Sequence, residues 1–97
     1  MGVEEYAKYV IDNMHRATLV NALRIPEKLK SFDDNEFIDC SIKYISQLVS
    51  SGKIANETAC RLSVAFYNCK KDLNSKFNYS KYMVLNNLIM ELWEILK

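Results

Sequence analysis

Residues 42–77 read IKYISQLVSSGKIANETACRLSVAFYNCKKDLNSKF, and their spacing decides the fold. Apolar residues fall at Ile38, Ile42, Ile45 and Val49, with Leu48 beside them, and then at Ala59, Leu62, Phe66, Cys69 and Leu73. Both series advance by three and four, the spacing that places side chains on one face of an α-helix. Between them lies Ser-Gly-Lys-Ile-Ala, residues 51–55. Gly52 can take the left-handed backbone conformation that ends a helix, and Ile54 can fold back onto its last turn. So short a connection forces two helices to pack antiparallel, as an αα-hairpin.

Outward from the hairpin the signals stay helical. Upstream, Phe32-Asp33-Asp34-Asn35-Glu36-Phe37 is a capping box inside a hydrophobic staple, which starts a helix at about Asp34. Val3 to Arg24 reads as one further helix, with Glu4 and Glu5 in its first turn and an apolar stripe of Tyr6, Val10, Met14 and Ala17. Pro26 ends it by pushing Ile25 towards extended geometry, and is itself suited to start a short turn through Lys30. Downstream, a helix begins near Asn56 and runs to about Asn74, and Ser80 is placed to cap a last one. Of residues 82–97, YMVLNNLIMELWEILK, eleven of sixteen are apolar, leaving only a polar strip of Asn87, Glu91 and Glu94. A short apolar run such as 90–96 is open to a strand reading, but Leu, Met and Glu favour helix. The expected fold is a single all-α domain over residues 1–97, a compact bundle of four helices with the 34–50 and 56–74 hairpin at its centre.

Composition agrees with that architecture. One proline and two glycines in 97 residues suit long helices, and 49% apolar content suffices for a core. The net charge of +1 supplies no global field towards nucleic acid or membrane. The charge is unevenly spread, at −3 over residues 1–39 and +4 over 40–97. Cys40, Cys60 and Cys69 are odd in number and widely spaced, which points to reduced thiols in a reducing compartment. With no signal segment and no long apolar run, the expectation is a soluble intracellular protein of cytoplasm or nucleus, without membrane association.

Reaction chemistry is hard to find. His15 is the single histidine, and no nucleophile elbow, phosphate loop or HExxH motif accompanies it. Cys60 and Cys69 are separated by about 900° of helix rotation and cannot share one metal ion. The expectation is a non-enzymatic chain without catalytic residues, cofactor, metal or small-molecule substrate. Nucleic-acid binding has a candidate in residues 61–81, where Arg61, Lys70, Lys71 and Lys76 are the candidate phosphate contacts and tyrosines are interleaved. The competing reading is a solvated face whose lysines compensate a helix end. A protein partner or a homo-oligomer is favoured over nucleic acid, because the last helix has more apolar circumference than its neighbours need. Its candidate interface residues are Leu85, Ile89, Met90 and Trp93, of which tryptophan and methionine are typical interface anchors.

Three stretches, Arg16-Ala-Thr-Leu-Val-Asn-Ala-Leu23, Tyr44 to Asn74 with its Ser-Gly-Lys-Ile turn and Phe66, and Tyr82-Met-Val-Leu-Asn-Asn-Leu88, occur in the order seen in one family. In these stretches the chain resembles the small (gamma) subunit of the general transcription factor IIA. Residues 26–40 have no counterpart there, and His15 stands where that family has tyrosine. In the family the helices form a four-helix bundle with the large subunit, and a β-barrel meets the TATA-binding protein and DNA. For residues 42–74 the resemblance implies the bundle role. The function expected is therefore a protein–protein interaction module, and the resemblance suggests a transcription-assembly subunit. The other reading is a small phage-, virus- or bacterium-encoded inhibitor or immunity protein that blocks a macromolecule.

Overall fold

In the computed structural model, which describes residues 1–75 and 80–97, the helix over Asp34–Ser50 is the element against which the others are arranged. Asp33 begins it by accepting a hydrogen bond from the Glu36 N–H at 3.0 Å, satisfying one of the backbone donors that a helix start leaves without a partner. The staple is completed by a third ring. Tyr6 stacks on Phe32 at 5.4 Å and tilts against Phe37 at 6.1 Å, and Phe37 in turn meets Phe66 at 6.3 Å. This run of rings ties together three helices that are distant in sequence.

In chain order the helices are α1 (Val3–Asn13), α2 (Leu19–Ala22), α3 (Ile25–Leu29), α4 (Asp34–Ser50), α5 (Asn56–Leu73) and α6 (Lys81–Leu96), with a 3₁₀ turn over Met14–Arg16. Among the described residues the structure is entirely helical, and residues 90–96 belong to α6. α4 packs against α1 and α5, and α5 packs against α6. The α4–α5 connection is a Schellman turn. The Lys53 N–H reaches the Leu48 carbonyl at 2.9 Å, the Gly52 N–H reaches Val49 at 3.0 Å, and Gly52 sits at φ 71°. Asn74 reaches Asn35 at 3.2 Å and Lys70 reaches Asp39 at 2.6 Å, so the end of α5 lies beside the start of α4. α5 begins one residue earlier than an N-cap at Asn56 would place it: Ala55 is the N-cap and Asn56 is already helical.

The expectation of one helix from Val3 to Arg24 is corrected. α1 stops at Asn13, and after the 3₁₀ turn Ala17 and Thr18 are extended. In a continuous helix the Ala17 carbonyl would accept from the Asn21 N–H. Here Thr18 Oγ1 takes the Asn21 N–H at 3.2 Å, and the Ala17 carbonyl takes the Trp93 indole N–H at 2.9 Å. Both backbone groups are satisfied, so the break leaves neither of them as an orphan. The chain that follows, α2 and α3, lies over α6. Instead of one long first helix there are therefore α1, a 3₁₀ turn and the short α2, and α2 with α3 covers part of the apolar circumference of α6.

The core is one cluster drawn from α1, α4, α5 and α6, joined by Met14, Ala22 and Leu29 from the intervening segment. Phe37, Ile38, Leu62, Phe66, Ile89 and Leu92 are fully buried within it. Ser41 is the buried polar side chain of this core, and it donates to the Phe37 carbonyl at 2.8 Å, so it carries no unmet hydrogen bond. At the rim the Tyr44 hydroxyl donates to Asp12 at 2.6 Å and ties α4 to α1.

Candidate partner interface

The four residues proposed for an interface on α6 divide between inside and outside. Leu85 and Ile89 lie in the core, where α5 and the α2–α3 segment cover them. Trp93 is half-buried, with its indole bonded to Ala17 and the Lys97 ammonium 5.2 Å from its ring centre. Met90 alone of the four is open to solvent, at 44%. A position one residue after the fully buried Ile89 is turned about 100° around the helix, which is why the same apolar run supplies both core and surface.

Met90 does not stand alone. On α5, Cys60, Val64 and Tyr67 point outward, three or four residues apart, on the side opposite Leu62, Phe66 and Cys69. On α6, Met83 and Met90 are seven apart and share a face. The start of α5 and the end of α6 together form a groove of about 480 Å³ with Val64 and Met90 in it. Arg61 lines its α5 side and Glu91 and Glu94 its α6 side. Arg61 has no ion pair among the described residues, Glu91 accepts only from Asn87 at 2.9 Å, and Glu94 pairs with Lys97 at 3.1 Å. An apolar strip with one cationic and one anionic flank is what the two helices present outward.

The basic run 61–81 is answered within the molecule at two of its five positions. Lys70 pairs with Asp39 at 2.6 Å, and Lys81 pairs with Asp34 at 2.7 Å. The hydrogen bond to Asp34 is the main reason that the Lys81 ammonium holds its proton more tightly than usual. Asp34 and Asp39 belong to the acidic third of the chain, so folding brings the −3 and +4 segments against each other. Lys71 and Arg61 remain exposed, and Lys76 lies outside the described residues. Two of the four candidate phosphate contacts thus face solvent and form no ion pair among the described residues.

A second groove, of about 460 Å³, runs between α1 and the α2–α3 segment, with Arg16, Arg24 and Lys28 on its rim and Tyr6, Val10 and Met14 in its wall. It exists because α1 breaks, and the sequence reading that carried α1 to Arg24 could not contain it.

The thiols differ in reactivity. Burial, with Asp34, Asp72 and Glu91 nearby, pushes the Cys69 thiol up to about 12, and burial raises Cys40 as well. Both shifts disfavour the thiolate, which is the reactive form. Cys60 is exposed, on the rim of the α5–α6 groove. Among the described residues no group of three metal-ligating side chains comes together, and no helix is long and apolar enough to cross a membrane. Comparison with protein-family models, with curated proteins and with solved structures finds no match for this chain.

Proposed function

We propose that this chain is a non-enzymatic protein–protein interaction module that docks through the outward face of α5 and α6. The observation that carries the reading is the pairing of Val64 and Met90, 50% and 44% exposed, in one groove. Methionine adapts to varied partner surfaces, and exposed apolar residues gathered between charged flanks mark docking sites more often than chance exposure does. In this reading the four long helices act as a bundle whose α4–α5 hairpin is the frame, and the partner sits on the α5–α6 side. The likeness of residues 44–74 to the transcription factor IIA gamma hairpin supports a role in assembling transcription proteins. Nucleic acid is the weaker reading, because Lys70 and Lys81 already have carboxylate partners.

The test is a pair of baits, wild type and Met90→Asp, used on an extract of the native host. Met90 is exposed, so the variant should keep its far-UV circular dichroism and its Trp93 emission. The expected result is a defined protein retained by the wild type and lost with Met90→Asp. A basal transcription component in that position supports the assembly role, and another enzyme or receptor supports a blocking inhibitor. Identical captures by both baits would remove the face from the account.

A further inference from the structure

We infer that the α5–α6 face is complementary to itself, and that its occupant is a second copy of this chain related by a two-fold axis parallel to the two helices. The inference rests on the docking-face reading above and adds the identity of the partner.

The argument starts from the direction of the helices. The groove joins the beginning of α5, at Cys60, Arg61 and Val64, to the end of α6, at Met90, Glu91 and Glu94, so the two helices run antiparallel. Arg61 on one wall is therefore level with Glu91 and Glu94 on the other. It forms no ion pair with either within its own chain. Within the groove the cation, Arg61, is on α5 and the acids, Glu91 and Glu94, are on α6; beyond it α5 exposes Glu57 before Arg61 and Lys71 after it.

A closed dimer through one face must use the same patch twice, with each residue meeting its partner's counterpart. Two in-plane axes are available. An axis across the helices lays α5 on α5 and reverses it, which sets Glu57 towards Lys71 but leaves Arg61 away from Glu91 and Glu94 of the other copy. An axis along the helices lays α5 of one copy on α6 of the other and keeps every residue at its own level. Arg61 of each copy then faces Glu91 and Glu94 of the other, twice in the dimer. Opposite charges across an interface fix its register, and the second axis is the one that pairs Arg61 with the acids of the groove, so the groove's charges select it.

The same axis deals with the apolar surface. Val64 and Met90 of both copies meet at the centre, with Tyr67 and Met83 further along the strip. Each α5 then lies antiparallel to the α6 it covers, as α5 and α6 already do within one chain. The product is an intermolecular four-helix layer in which all adjacent helices alternate in direction, the arrangement common to helical bundles.

Sedimentation equilibrium of the full chain, from low micromolar to millimolar, tests this by mass and by charge exchange. The wild type is expected to pass from 11.3 kDa to twice that mass as concentration rises. Arg61→Glu alone, and Glu91→Arg with Glu94→Arg, should each weaken association at least about tenfold. The three changes together should recover most of the loss, because the two walls have exchanged sign. A wild type that stays at monomer mass throughout overturns the proposal, and so does a combined variant no tighter than its parents. Circular dichroism on each variant separates weakened association from unfolding. A monomeric wild type whose host partner is still lost with Met90→Asp keeps the docking face and removes the second copy.

Discussion

The indole N–H of Trp93 donates to the carbonyl of Ala17 at 2.9 Å, across 76 residues of sequence. That carbonyl is one a continuous first helix would have used internally, so the bond and the helix break depend on each other. It also ties the chain before α2 to α6, on which α2 and α3 pack.

Trp93→Phe should therefore cost more than the loss of ring area. It leaves the Ala17 carbonyl without its donor, a loss of about 1–3 kcal/mol. Thr18→Ala removes the other substitute bond and should cost about 0.5–2 kcal/mol. Urea denaturation of both single variants and the double variant should show coupling, because the two bonds hold one break. Strictly additive losses would mean that they act independently.

At the start of α4 the packing of the rings should outweigh the cap. Phe37→Ala empties a fully buried site and should cost about 3–5 kcal/mol. Asp33→Ala removes one cap bond and should cost about 0.5–2 kcal/mol. Lys70→Ala breaks an exposed ion pair and should stay within about 1 kcal/mol. The order matters more than the values: a cap loss equal to that of Phe37 would contradict the ring cluster as the anchor.

Gly52→Ala isolates backbone strain. An added Cβ meets nothing within 4 Å, so no steric clash contributes. The left-handed conformation at φ 71° still opposes a side chain, by about 1–2 kcal/mol. Thermal unfolding should show a loss of that size with an unchanged circular dichroism spectrum.

Alkaline pH should loosen the fold in a defined window. The folded Cys69 thiol is raised from 9.0 to about 12 by burial, and the Tyr44 hydroxyl from 10.0 to about 12 chiefly by its hydrogen bond to Asp12. Between those values the unfolded chain has released protons that the folded chain retains. Stability then falls as pH rises, beginning near 9 for the thiol and near 10 for the phenol. Cys69→Ala and Tyr44→Phe should each flatten part of that slope in denaturation curves measured against pH. At pH 8 a thiol reagent should label exposed Cys60 quickly and Cys69 only after unfolding.

These contrasts mirror what the residues disclose before folding. The start of α4 and the turn at Gly52 are specified within a few adjacent positions, so capping and turn chemistry locate them directly. The apolar stripes of α4 and α5 are equally local, and Ile38, Ile45, Leu62 and Phe66 are core in the structure. The break after Asn13 is different in kind. Its stripe of Tyr6, Val10 and Met14 continues smoothly to Ala17, and beside the local Thr18 cap the donor that takes the Ala17 carbonyl comes from the far end of the chain. For the same reason the apolar surplus of α6 was visible but its distribution was not. Which part of that circumference stays exposed depends on where α5, α2 and α3 come to rest.

Site-directed photo-crosslinking in the native host is the most direct test of a docking face on α5 and α6. A photoreactive side chain installed at Val64 should give one strong, defined adduct, to another copy of this chain or to a host protein. The same side chain at Gln47, exposed on α4 away from that groove, should give only weak and diffuse products. Equal labelling from both positions, or a defined adduct from Gln47 alone, would contradict the account.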